Sequence, residues 1–380
     1  MNKKLAVTVY AICALSAPVA LFLASGCGPK SEAAKTPIAV TPAVAKVEFV
    51  GNDACKECHG KACDMHQKSN HNFTMNVADR KTLEKLFPKS GPIRKTPYSV
   101  KEDPEHIVFT RTGQQPANIT ADYVLGSGHA GMTSFAITKP DHITEFRMSY
   151  FPRTGQWYVT PGQEAVGNDD LGMEHDTSLS RKCILCHATN LPDNSLKAEP
   201  KFFGVGCESC HGPGSAHIEA AKTKGATDLK VEKLHGLSGD KMNDLCGKCH
   251  RKAADVSITG PDSTATHRFQ PFGLQQSPCF EKSHGKLTCI TCHDPHTNAE
   301  KNPKFYESIC LSCHKPAGSI ALDPIAVKRV DPVISKICPV NSKDKCVTCH
   351  MPKRKVFPFS PVPMEMNDHL IWSYGKKKHA

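Results

Sequence analysis

One five-residue pattern governs what this chain can become. Cys-x-x-Cys-His occurs seven times, as Cys55–His59, Cys183–His187, Cys207–His211, Cys246–His250, Cys289–His293, Cys310–His314 and Cys346–His350. The second cysteines of these motifs are Cys58, Cys186, Cys210, Cys249, Cys292, Cys313 and Cys349. Two thiols three residues apart share one side of a helical turn. They can add across the two vinyl groups on one edge of a haem, and the following histidine then gives its imidazole to iron. Zinc sites also use paired Cys-x-x-Cys units, but they do not demand His after every second cysteine. Seven motifs out of seven have it. The pattern excludes an ordinary cytosolic enzyme, a disordered chain and a small disulfide scaffold.

Composition agrees with seven covalently attached c-type haems. Apolar residues make up only 39% of the chain, low for a purely protein core of this length. Haem macrocycles would supply the missing apolar volume. The formal charge is +11. A ferric haem with ionised propionates carries about −1, so seven bring the total to about +4, and loss of Lys3 and Lys4 with a leader brings it to about +2. The basic excess therefore reads as compensation for propionates, and no nucleic-acid partner is expected.

The start of the chain sets the compartment. Met1-Asn2-Lys3-Lys4 is short and positive, Leu5 to Leu23 is uncharged and mostly apolar, and Ala24-Ser25-Gly26-Cys27 comes next. This is the layout of an export signal. The small residues before Cys27 match a bacterial lipoprotein processing site, with Cys27 the lipidated residue. A plain cleaved signal and a retained helical anchor are the other readings. Residues 1–27 are thus expected to be a lipoprotein signal and 28–50 a flexible tether. Residues 51–72 carry the first motif, 73–180 form a haem-poor insert, 181–370 hold six haems, and 371–380 are a basic tail. The expected place is the periplasm or the outer membrane, with a lipid anchor on the membrane. With roughly 51 residues per haem, the protein cannot isolate each ring in its own core.

Thirteen histidines lie outside the motifs. His71, His217, His296 and His369 are the first candidates for distal iron ligands. His296 follows His293 too closely to reach the open face of its own haem, so a neighbour's iron is expected. His129 and His175 come next, and His284, His267 and His235 after them. Two imidazoles per iron make a low-spin, coordinatively full haem suited to electron transfer. Five cysteines lie outside the motifs: Cys13 and Cys27 in the signal, then Cys63, Cys279 and Cys338. The last three allow one disulfide, for instance Cys279 with Cys338, plus a thiol, or a thiolate on iron.

Residues 73–180 read as a small antiparallel β insert. His106–Thr112 alternates like a strand. Ile143, Phe146, Met148 and Tyr150 do likewise, and Trp157-Tyr158-Val159 comes after a Pro152–Gly155 loop, which is a hairpin signal. Gly126-Ser-Gly-His-Ala-Gly131 has the spacing of a dinucleotide loop, but Met132 to Lys139 reads as strand where that fingerprint needs a helix, so a tight glycine turn is expected instead. The expected fold class is mainly α and irregular, a multihaem cytochrome c fold organised by haem stacking.

Several stretches together resemble a known group. They are Tyr123–Gly128, Trp157 to Gly162, Cys183–His187, Val205–Gly214, Ser277–His296 and Cys346–Lys353. They are similar to secreted multihaem cytochromes c with doubled Cys-x-x-Cys-His motifs, to the tetrahaem cytochrome of ammonia oxidisers and to the wider hydroxylamine-oxidoreductase group. The similarity runs over about 51–370. It implies bis-histidine haems in stacked pairs, with His217, His296 and His369 as distal ligands. The chain departs in lacking the tetratricopeptide repeats often fused to such proteins. It also has Met65-His66 where relatives often show Trp, which bears on the first haem's ligand. The expected function is electron transfer between unidentified redox proteins. The alternative is a reductase or oxidoreductase of a small nitrogen or sulfur compound at one five-coordinate haem.

Overall fold

The computed structural model describes residues 47–79, 90–101, 103–113, 115–126, 128, 131–258, 264–314, 337–358 and 360–373. Cys27, its leader and the tether as far as residue 46 lie outside them, as does His129. Among the described residues no helix is long and apolar enough to cross a membrane.

Antiparallel sheet fills the stretch between the first and second motifs. The strands are β1 Met75–Val77, β2 Gly91–Pro92, β3 Tyr98–Lys101, β4 Val108–Arg111, β5 Ala117–Thr120, β6 Tyr123–Leu125, β7 Ser134–Thr138, β8 Ile143–Phe146, β9 Met148–Phe151, β10 Gln156–Val159 and β11 Gly172–His175. They form a five-stranded sheet in the order β1-β6-β7-β8-β11, a four-stranded meander β2-β3-β4-β5 and the hairpin β9-β10. The expectation of a small insert is corrected here: the fold mixes helices with substantial antiparallel sheet. β3 alternates between buried Tyr98 and Val100 and the more exposed Ser99 and Lys101, the signature of a sheet with one wet face. β7 is buried at Ser134, Phe135, Ala136 and Ile137, so alternation gives no signal there.

The core of this region is aromatic. Phe109 stacks on Phe146 with centroids 4.1 Å apart, and Tyr98 meets Phe146 edge-on at 5.3 Å. Phe135 meets Phe109 edge-on at 5.3 Å. These rings join the meander to the five-stranded sheet, in offset and edge geometries that add to simple burial. The sequence reads Ile143 to Tyr150 as one strand. The chain instead breaks at Arg147, whose buried side chain donates from Nε to the carbonyl of Val166 at 2.9 Å. β8 and β9 therefore serve different sheets.

A second cluster fastens the sheet to the helix of the second motif. Met75, Tyr123, Ala136 and Ile143 pack with Ile184 and Ala188. Ser180 adds a polar pin: it receives from Ile143 N at 3.0 Å and donates to the carbonyl of His175 at 2.8 Å. The rest of the chain is short helices and loops, closed by the ribbon β12 Lys353–Lys355 and β13 Glu365–Asn367.

Candidate functional site

All seven motifs sit on helices, and six of those helices stop at the motif. They are Thr177–His187, Cys207–His211, Gly239–His250, Cys289–Cys292, Pro303–Cys313 and Cys346–His350. Helix Asn52–His66 continues past its motif, yet His59 has the non-helical angles φ −114 and ψ 35. In each case the two cysteines lie on one turn and the histidine leaves the regular helix or stands at its last residue. Side-chain caps fix where three of these helices begin. Asp176 accepts from Leu179 N, Ser238 from Lys241 N and Asn302 from Lys304 N, satisfying N–H groups that the first turn leaves unpaired.

Four motif histidines face a histidine from elsewhere in the chain. His59 faces His217 at a centroid distance of 6.1 Å, and His250 faces His71 at 6.1 Å. His211 faces His296 at 6.4 Å, and His293 faces His369 at 6.2 Å. Direct ring stacking would be tighter than this. With metal–nitrogen bonds of about 2 Å, two imidazoles that shared one metal would stand about 6 Å apart. The four pairs fit that requirement and would suit an iron.

Hydrogen bonding sets the tautomer needed for ligation. The Nδ1 of His217 lies 2.8 Å from the carbonyl of Leu229, that of His369 3.0 Å from Asn367 O, and that of His71 3.3 Å from Pro295 O. Among motif histidines, Nδ1 of His187 lies 2.8 Å from Thr74 O and that of His350 3.0 Å from Trp372 O. A carbonyl can only accept, so the proton resides on Nδ1 and the Nε2 lone pair is left for a metal. His296 makes the equivalent contact with the Asp294 carboxylate at 2.9 Å. Burial, with His293 beside it, pushes His369 down to about 4. Burial also lowers His187 and, together with His296, His211. These rings stay neutral, which iron ligation requires.

The thiols connect one motif to the next. Cys207 donates to Cys55, holding Cys55 down to about 7. Cys249 donates to Cys186, Cys246 to Cys289, and Cys310 to Cys346. Electrostatic coupling adds Cys210 with Cys246 and Cys292 with Cys310. The first motif is separated by 128 residues from the second in the chain, yet its Cys55 lies against Cys207 of the third. Sequence spacing is therefore no guide to which motifs are neighbours. A cavity of about 350 Å³ opens beside Cys58, His59, Met65 and His296.

The remaining candidates take other roles. His175 ends β11 and pairs with Glu145, Nε2 to Oε2 3.7 Å, rather than facing a motif ring. Among the described residues no ring faces His187 or His350. Cys63 is buried beside Cys55 and Cys207, and burial pushes its thiol up. Cys63, Cys279 and Cys338 are all unbridged, which corrects the disulfide expected between Cys279 and Cys338. His66 is buried.

Two residues with no sequence signal hold the site together. Glu208, between the cysteines of the third motif, accepts from Val50 N at 2.9 Å, Gly51 N at 2.8 Å and Gly214 N at 2.7 Å. It thus ties the approach to the first motif onto the third. Thr74 donates from Oγ1 to the carbonyls of His71 and His187 and accepts from Val205 N at 3.1 Å. Its own carbonyl receives His187 Nδ1. Gly204 closes the same knot: at φ +78, any Cβ would run into the carbonyl of Asn72.

Comparison with known proteins agrees with this chemistry. The family described as cytochrome c554 and c-prime matches residues 150–212, a span holding the second and third motifs. The chain is 24% identical over 202 residues to the multiheme cytochrome MtrA of Shewanella baltica, covering 47% of this chain and 56% of that protein. It is 22% identical over 392 residues to the dissimilatory sulfite reductase MccA of Wolinella succinogenes, covering 80% of this chain and 51% of that one. The chain spans about half the length of these curated relatives. The crystal structure of the outer cell wall cytochrome OcwA is similar with a TM-score of 0.49 and 17% identity, over 85% of this chain and 79% of the other. Seven Cys-x-x-Cys-His motifs, four of whose histidines face a second imidazole, and the similarity to these proteins support the multihaem c-type cytochrome family for this chain.

Proposed function

We propose that the chain is an exported heptahaem electron carrier, tethered through a lipid on Cys27. Bound iron porphyrins supply one-electron chemistry and exchange electrons over short distances. The protein's part is to fix the order and the ligands. Four facing imidazole pairs carry this reading, because they make coordinatively full centres rather than substrate sites. Neighbouring cysteines, three pairs in contact and two coupled electrostatically, support a path through motifs one, three, four, five, six and seven. Motif two joins as a branch at motif four through Cys186 and Cys249. Cys55, Cys183, Cys207, Cys246, Cys289, Cys310, Cys346 and their second cysteines would hold the groups, and the motif histidines would ligate iron. His217, His296, His71 and His369 would be the second ligands for motifs one, three, four and five.

A pyridine haemochrome assay on natively expressed protein is expected to give seven equivalents. Stopped-flow mixing of the reduced protein with ferric citrate is expected to reoxidise all of them together. A count well below seven, or haems that do not exchange electrons with one another, overturns the reading.

A second reading has its own observation. No ring faces His187 among the described residues, while Glu145 reaches both His187 and Cys183 electrostatically and pairs with His175. This supports an open second centre for a small nitrogen or sulfur compound, and one relative is named a sulfite reductase. Low-temperature EPR separates the two: a full-equivalent high-spin ferric signal favours the open centre, and seven low-spin haems exclude it.

A further inference from the structure

One loop serves two of the facing pairs and holds their imidazoles in different ways. It runs from Asp294 to Asn298, directly after the fifth motif. Asp294 Oδ1 accepts from His296 N at 2.9 Å and lies 2.9 Å from His296 Nδ1. Thr297 N donates to the carbonyl of Asp294 at 3.1 Å. The ring of His296 is therefore fixed by its own turn. His71 is fixed from outside. Its Nδ1 lies 3.3 Å from the carbonyl of Pro295, 224 residues away along the chain. That contact orients the His71 ring only while the loop keeps its place against residues 68–71.

Asn298 keeps it there. Its Oδ1 accepts from Asn70 N at 2.7 Å, and its Nδ2 donates to the carbonyl of Lys68 at 3.2 Å. One amide thus pairs with a donor and an acceptor of the same turn, as a neighbouring strand would, and this fixes both spacing and orientation. Both bonds are exposed to solvent. Such bonds add little stability, so what they contribute is orientation.

The ring planes differ accordingly. His71 crosses His250 at 75°, whereas His296 and His211 are inclined by only 9°. The side chain of Gln270 lies against His250. Hydrogen bonds to the outer nitrogen orient a ligating imidazole. The angle matters to an iron between two imidazoles. Parallel planes separate in energy the two iron orbitals of π symmetry. Crossed planes leave them nearly equal, which gives a low-spin ferric centre a wide, strongly anisotropic EPR signal instead of a rhombic one.

We propose that Asn298 is a positioning residue: by locking the Pro295 carbonyl against the turn before His71, it holds the His71 plane across that of His250 and makes the fourth centre electronically unlike the third. The inference rests on the proposed ligation of iron by these histidines.

Low-temperature EPR of the oxidised holoprotein tests this. The wild type is expected to show a wide low-spin signal at high g beside rhombic ones, and H71A to lose the wide signal. An H71A spectrum identical to wild type overturns the ligand reading, and the role of Asn298 falls with it. N298A is expected to keep the wild-type haem count, stay low-spin and move the wide signal to lower g while the rhombic signals hold still. D294A frees His296 instead and is expected to show the reverse pattern. N298Q carries the same amide on a longer, exposed arm and should restore the wild-type position. A wide signal that H71A removes but N298A leaves unmoved overturns the proposal alone. Identical changes in N298A and D294A, the result of loosened packing, overturn it as well.

Discussion

His59 and His217 face one another with ring centroids 6.1 Å apart and planes inclined by 28°. One comes from a Cys-x-x-Cys-His motif and the other from helix Ser215–Lys222, beyond a different motif. The same arrangement joins His211 to His296. In all four facing pairs the motif histidine meets a residue that follows a different motif.

Replacing a distal imidazole should open one iron without releasing its porphyrin. H217A is expected to keep seven haems by pyridine haemochrome and to gain about one equivalent of high-spin ferric signal by low-temperature EPR, since one imidazole no longer completes a low-spin centre. H217A/H296A should gain about two. A spectrum of H217A identical to wild type would place the ligand elsewhere.

Glu208 is a buried carboxylate serving three backbone N–H groups. In E208Q an amide N–H group replaces one accepting oxygen and faces donors. Hydrogen bonds to charged groups contribute about 1.5–3 kcal/mol, and a loss of that size is expected in guanidinium unfolding of the holoprotein. The haem count should not change. Unfolding at the wild-type midpoint would show that the tie between Gly51 and the third motif carries no stability.

Gly204 and Gly225 make an internal comparison. Both have positive φ, +78 and +80, but a Cβ at Gly204 meets Asn72 O while one at Gly225 meets nothing within 4 Å. G225A should cost about 1–2 kcal/mol, the penalty of the left-handed backbone alone. G204A should cost more, and should also disturb His71 and its partner His250. Thermal melts of the two variants side by side, with EPR on G204A, check both halves.

Thiol counting tests the unbridged cysteines. In the mature protein fourteen sulfurs are expected in thioethers and Cys27 in a lipid thioether, leaving Cys63, Cys279 and Cys338. Alkylation of the denatured holoprotein without reductant should add three labels by mass spectrometry. A single label, rising to three only after reduction, would mean that two of them are bridged.

Part of this architecture is legible from the chain alone. Sulfur spacing and the adjacent histidine are local: three residues along a helical turn place both thiols on one side whatever surrounds them. Strand β4 was legible too, because Val108–Arg111 falls inside the alternating run His106–Thr112. β7 and β9 also fall in stretches the sequence reads as strand, although both are buried along nearly their whole length. The break at Arg147 depends on a carbonyl at Val166, which no local pattern announces.

The sequence by itself determined how many attachment motifs there are, which residues bear them and the short list of histidines that could complete them. Tertiary structure decided the rest: that His217 faces His59 and His71 faces His250, and that Cys55 lies against Cys207. The reason is one of range. Attachment geometry is written within a single helical turn, whereas a distal ligand arrives from any loop that packing brings within a few ångströms, and chain separation carries almost no information about which loop that is.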